Sequence, residues 1–291
     1  MHSRKYQSPA DDTLIGPRVE ALTMLAALAP ATDAVTLGTA ALLPHLRRPV
    51  QTAQALASLD LLSGGRLAVA VGAGFPGRFG QPLYALSEVP WARRFARLDE
   101  TVALWRTLWG GGGSFHGEFL RFTDVPPMTR PFRPGGPPVR LGGATPAALA
   151  RTGRTYDGWL PYPPDPADYA TGLRAVRAAA TGAGRADGDV TPALFVSVRI
   201  DDGSGADPER GRRAMDAYAR ATYGMPLEEL EKVQAVVTGP AERVRERLEE
   251  YVAAGARHVV VRLGALDLRS QDDQLERLAA LLPAVRAAGE P

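Results

Sequence analysis

The feature that most constrains this chain is a rhythm, in which short apolar, β-branched segments are each followed by a stretch of helical periodicity. LDLLSGGRLAVAVGAGFPG (Leu59–Gly77) shows one period: a helix end, a turn at Gly64 and Gly65, a buried strand over Arg66–Val71, and a second turn at Gly72 and Gly74. Strands that alternate with helices pair in parallel, so the fold class is α/β.

The same reading runs along the chain. A helix is expected over Pro17–Ala29, a strand over Val35–Leu43 and a helix over Pro49–Leu62. Trp91, Phe95, Leu98, Val102, Trp105 and Trp109 recur at steps of three and four, which predicts one helical face packed on a core. Residues 110–138 break the rhythm with glycines, FHGEFLRF and a proline-rich run, as an excursion containing a small hairpin. The rhythm resumes with VRLGG running into a helix from Thr145, a short strand at Gly158–Leu160, and a helix opened by Asp165 as cap with Pro166 in its first turn. Ala193–Ile200 is a strand and Pro208–Val236 a long helical region. A helix from Pro240 to Gly255, a strand at His258–Leu263 and a closing helix follow. The count is about six strands, which by number alone suits an open doubly wound sheet better than a closed eight-stranded barrel. The dinucleotide fingerprint such a sheet would carry is absent, however, because GAGFPG lacks the following acidic residue at the right distance. Residues 1–291 read as one domain with a loop over residues 1–16.

Composition removes several classes of function. With no cysteine there are no disulfides, thiol nucleophiles or thiolate metal sites. The four histidines are scattered, no HExxH occurs and carboxylates do not cluster, so no metal site is expected. No Ser-His-Asp arrangement is legible, and Ser63 reads as turn chemistry. The net charge is only +2 and arginines interleave with acids, as in RVRERLEE, which speaks against a nucleic-acid partner. No apolar run reaches the roughly 18 residues of a membrane span, and the N-terminal residues lack the apolar core of a secretory signal, so a cytoplasmic protein is expected.

Several motifs in succession are more specific than any one of them. VTLGTAALLP (Val35–Pro44), RRPV, the glycine-framed strand, RFARLDETVALWRTLW (Arg94–Trp109), FHGEFLRF and VRLGGATPAALARTGRTYDGWLPYPP (Val139–Pro164) together resemble the bacterial luciferase-like flavin-dependent oxidoreductases. The likeness runs from about Pro17 to Leu263. It implies a (β/α)8 TIM barrel of the luciferase-like type, with F420 or FMN at the C-terminal ends of the strands and F420 preferred. The family's first strand, helix and second strand have no counterpart, so about six of the eight barrel strands are expected. A homodimer is expected because dimers are common in the family.

The resemblance also implies site residues. LGTAALLP should carry a bulge with a non-prolyl cis bond near Ala40 and Ala41, and the small side chains of Thr39, Ala40 and Ala41 would let a planar ring approach. Gly72, Ala73 and Gly74, and Gly142, Gly143 and Thr145, would hold the cofactor phosphate, although each glycine pair alone also reads as an ordinary strand-to-helix turn. His45, Arg47, Phe75, Trp159 and Tyr162 are candidates for the substrate pocket. Phe75 stands where deazaflavin-dependent sugar dehydrogenases of the family have a glutamate acid. The family residues that contact the reacting centre match nothing in this chain, and the catalytic residue is left unassigned. The function implied is hydride transfer or monooxygenation of a small organic substrate. The alternative is a non-catalytic flavin-binding protein with a reduced barrel.

Overall fold

The computed structural model describes residues 19–74, 80–201 and 209–289. They fall into two compact units, one of Val19–Leu160 with Val176–Thr191 and the other of Pro161–Ala175 with residues 192–289.

In the first unit the order is α1 (Ala21–Leu28), β1 (Leu37–Leu42), α2 (Pro49–Leu62), β2 (Leu67–Val71), α3 (Gln81–Leu86), α4 (Arg94–Trp109), the pair β3 (Phe115–His116) and β4 (Arg121–Phe122), β5 (Val139–Leu141), α5 (Pro146–Thr155) and β6 (Gly158–Trp159). β1, β2, β5 and β6 lie side by side in parallel, with Leu37 opposite Leu67, Val69 opposite Val139 and Leu141 opposite Trp159. All five residues of β2 are buried, as a central parallel strand requires. Leu56, Leu98, Trp105, Val69, Val71 and Leu141 share one apolar core. Trp105 and Trp109 sit in that core because their indole N–H groups reach the carbonyls of Pro49 and Ala53, at 3.0 and 2.9 Å. The excursion contains the expected hairpin, β3 antiparallel to β4. Its tip is held by the Glu100 carboxylate, which accepts from the backbone N–H groups of Glu118, Phe119 and Leu120.

Two helix starts differ from expectation. α1 begins at Ala21, because the Glu20 side chain accepts from the Leu22 and Thr23 N–H groups and caps the helix there; Pro17, where the helix is expected to start, lies outside the described residues. α4 begins at Arg94, after Arg93 in the left-handed region. Trp91 therefore lies outside the helix and meets the edge of Tyr84, with ring centroids 4.9 Å apart, while Phe95 is exposed.

In the second unit α6 (Pro166–Gly182) starts, opened by Asp165, whose carboxylate accepts from Ala167 N at 3.2 Å. β7 (Thr191–Ile200), α7 (Arg210–Tyr223), α8 (Leu227–Leu230), β8 (Val236–Gly239), α9 (Ala241–Ala253), β9 (His258–Leu263) and α10 (Leu268–Ala287) follow. β7 pairs in parallel with β8 on one edge and β9 on the other. The long helical region expected over Pro208–Val236 is divided: Gly224 ends α7 in the left-handed conformation, Pro226 precedes a single turn, and a further strand begins at Val236. α10 starts at Leu268, where Asp267 caps it through Ser270 N at 2.7 Å.

Candidate cofactor site

The bulge expected in LGTAALLP is present. β1 pairs Thr39 with Val69 but Leu42 with Val71, so one residue more lies on β1 than on β2 between these pairs, and the Ala40–Ala41 peptide is cis. Leu37 and Leu42 face the core while Ala40 and Ala41 are exposed, so the bulge turns two methyl-sized side chains outward. They line a cavity of about 650 Å³, together with Met24 and Leu25 of α1, Leu43 and Arg47. Thr39 also lines it, and its hydroxyl is held by the Ala70 carbonyl at 2.8 Å.

The two glycine turns stand next to this bulge because three strands end together. Gly72 N donates to Leu42 O at 2.9 Å, and Gly142 N to Val71 O at 3.2 Å. A Cβ on Gly72 would lie 3.8 Å from the Ala41 methyl, so bulge and first turn are in contact. Gly74 and Gly143 have φ of +67° and +98°, which side chains other than hydrogen rarely adopt. Thr145 caps α5, its hydroxyl accepting from Ala148 N at 3.3 Å, so the second turn runs into the positive end of a helix. Six of the sequence-derived residues, Thr39, Ala40, Ala41, Gly72, Ala73 and Gly74, are thus brought together on β1 and β2. Gly142, Gly143 and Thr145 follow on the adjacent β5.

His45 stands behind this surface. It is 6% exposed; Nε2 lies 2.8 Å from the Arg94 carbonyl and Nδ1 3.0 Å from the Tyr84 hydroxyl. A carbonyl only accepts, so Nε2 carries the proton, and in the neutral ring Nδ1 is an acceptor facing the Tyr84 hydroxyl. That hydroxyl is also 2.8 Å from the Ala73 carbonyl. One hydrogen therefore serves two acceptors, the imidazole and the turn. Burial, and then the charges of Arg97 and Arg94, press the His45 pKa down to about 4 against the opposing Arg94 carbonyl. Burial raises that of Tyr84 to about 12. Tyr84 has no local sequence signal; its partners Ala73 and His45 lie 11 and 39 residues away.

Arg47 is at the cavity wall, where its guanidinium pairs with Glu20. Burial alone would raise the Glu20 pKa, but the Leu22 and Thr23 N–H groups, the Thr23 hydroxyl and Arg47 together hold it down to about 2. Trp159 is fully buried, so its ring is not an open pocket wall; its indole N–H donates to Gly143 O at 2.8 Å and braces the second turn. Tyr162 is 43% exposed and belongs to the other unit. Phe75 lies outside the described residues. Among the described residues no group of three or more His, Asp or Glu side chains is placed to hold a metal, and no helix is long and apolar enough to cross a membrane.

Parallel βα units whose strands end together in a small-residue bulge and two glycine turns define the class, an α/β protein with a candidate cofactor site at its strand ends. The family model for luciferase-like monooxygenases matches residues 3–258, and the chain belongs to that family. A monooxygenase from Streptomyces bottropensis, RslO1, superimposes with a TM-score of 0.76 at 24% identity, covering 91% of this chain and 83% of that one. The fold is thus the luciferase-like TIM-barrel type. Among curated proteins, the phthiodiolone/phenolphthiodiolone dimycocerosates ketoreductase of Mycobacterium tuberculosis is 36% identical over 50% of this chain, and the match spans only 38% of that relative. An F420-dependent glucose-6-phosphate dehydrogenase from Segniliparus rotundus is 30% identical over 82% of this chain and 76% of its own length.

Proposed function

We propose that this chain is an F420-dependent oxidoreductase that moves a hydride between the deazaflavin and a small organic alcohol or carbonyl compound. The observation that carries the reading is the contact between the bulge at Ala40 and Ala41 and the turn at Gly72. It offers a flat, apolar, methyl-sized surface for a ring beside backbone suited to a phosphate. F420 is favoured over FMN by the F420-dependent relative that matches most of the chain. When bound, F420 supplies the hydride-carrying ring.

The chain's own residues do the holding. The N–H groups after Gly142 and Gly143, at the start of α5, attract the cofactor phosphate without needing a lysine. Trp159 keeps the Gly143 carbonyl turned inward, so the adjoining amides keep their direction. Ala40, Ala41, Met24 and Leu25 give the cavity an apolar stretch of wall against which a ring face would be shielded from water.

The test is to titrate the protein with F420 and, separately, with FMN, following cofactor fluorescence, and then to assay reduced or oxidised F420 for turnover with panels of ketones and secondary alcohols. Tight binding of F420, weaker binding of FMN and turnover by at least one panel member are expected. Preferential FMN binding would sink the cofactor assignment. F420 binding without any turnover would favour the non-catalytic flavin-binding protein.

A further inference from the structure

The second unit holds a cluster that the proposed cofactor chemistry does not use. Arg262 on β9 lies opposite Ser197 on β7, and its guanidinium carbon is 5.6 Å from the ring centroids of both Tyr218 and Tyr223 on α7. The two rings are edge to face, 6.3 Å apart. Among the described residues no carboxylate pairs with Arg262; its one polar contact is Nη1 to the Tyr223 hydroxyl at 3.5 Å. Ring faces stabilise a guanidinium and fix its plane, but they leave its N–H groups unsatisfied.

Counting donors and acceptors shows the imbalance. The Tyr223 oxygen accepts from Gln234 Nε2 at 3.0 Å and faces Arg262 Nη1, so its own hydrogen is left to donate. Gln234 is buried and held in place by Ser197 Oγ at 3.3 Å, which fixes that assignment. The Tyr218 hydroxyl is on a side chain only 3% exposed; it makes no hydrogen bond of ordinary geometry, and the Thr222 and Tyr223 hydroxyls are its polar neighbours. Burial raises its pKa, so it stays protonated and can only gain by donating or accepting a hydrogen bond. Three kinds of donor meet here, with one full positive charge and no anion. The cluster is reachable, because Arg262 and Tyr223 are half-buried, and Tyr162, whose carbonyl is bonded to Ala235 N beside Gln234, is exposed.

We propose that Arg262, Tyr218 and Tyr223 form an oxyanion-binding site that takes the carboxylate or phosphate group of a small organic anion. A planar carboxylate or a phosphate matches the forked guanidinium edge, and the two hydroxyls supply the additional hydrogen bonds.

The experiment uses the full chain without cofactor, titrated calorimetrically with inorganic phosphate and, separately, acetate at ionic strength held constant with sodium chloride. Saturable binding is expected. It should weaken about tenfold or more in Arg262→Gln, the usual effect of removing a charge-assisted hydrogen bond. A smaller loss is expected in Tyr218→Phe, which keeps the ring and the shape. Tyr218→Phe keeps the question open to refutation should Arg262→Gln fail to fold. No saturable binding, or equal affinity in wild type and Tyr218→Phe, overturns the site. Repeating the phosphate titration at saturating F420 distinguishes the sources: retained binding is expected for an independent small anion, and displacement by F420 overturns that in favour of an anionic tail of the cofactor.

Discussion

His45 allows a sharp test of the hydrogen-bond network behind the cofactor surface. In the folded chain its pKa is pressed down to about 4, while an unfolded histidine titrates near 6.5. The folded pKa is the lower one, so between these values the unfolded chain binds a proton that the folded chain refuses. Stability conferred by the neutral, buried ring is complete above about pH 6.5 and is lost as the pH falls toward 4. The difference of about 2.5 pH units corresponds to about 3 kcal/mol at most, at about 1.4 kcal/mol per unit. Urea unfolding of wild type and His45→Gln at half-unit steps from pH 5 to 7.5 measures this. Glutamine keeps a donor and an acceptor but does not titrate. Wild type should lose about 2 kcal/mol more than the variant between pH 6.5 and 5. Carboxylates with lowered pKa, such as Glu20, lose their contribution only at more acid pH and are common to both proteins. Superimposable pH profiles would refute the neutral buried imidazole and the proton count built on it.

Other variants probe the remaining parts. Gly143→Val places a β-branched residue at φ +98°, at a cost of about 1–3 kcal/mol, and Gly74→Val adds a side chain 3.4–3.6 Å from Gly80, Tyr84 and Trp91; each should weaken F420 binding at least tenfold while far-ultraviolet dichroism stays native. Unchanged affinity in both would remove the phosphate assignment. Trp159→Phe deletes the hydrogen bond to Gly143 O with little change of volume; about 1 kcal/mol of stability and a several-fold loss of F420 affinity are expected, and a stability loss with affinity intact would make Trp159 a core residue only. Asp60 is fully buried, paired with Arg133 at 2.8 Å and bonded to Arg133 N at 2.9 Å; Asp60→Ala should cost about 3–5 kcal/mol by thermal or urea unfolding and open residues 110–138 to proteolysis.

Much of this site was legible before any coordinates, because its parts are local in sequence. Glycines at 72, 74, 142 and 143 and small residues at 39–41 carry their meaning through backbone freedom and side-chain size, properties of the residues themselves. Alternating periodicity likewise placed β2, α2 and β7, and Asp165 and Pro166 announced α6 by capping chemistry. Sequence and structure part where a short local signal is ambiguous: the Glu20 cap sets the start of α1, and the β-branched Val236, Val237 and Thr238 read as the tail of a helical region, whereas the ladder to β7 makes them a strand. Trp159 is another such case: its aromatic side chain suits a pocket wall, whereas its burial and its bond to Gly143 make it a brace.

By itself, then, the chain's order of residues determined the alternation of strands and helices, the family and the turns suited to a cofactor phosphate. Tertiary structure alone decided that Tyr84 shares one hydrogen between His45 and Ala73, and that Arg262 meets two tyrosine faces and no carboxylate. The physical reason is that a hydrogen bond or an unpaired charge is a relation between groups far apart in the chain. It has no residue-by-residue signature until packing brings those groups within a few ångströms of one another.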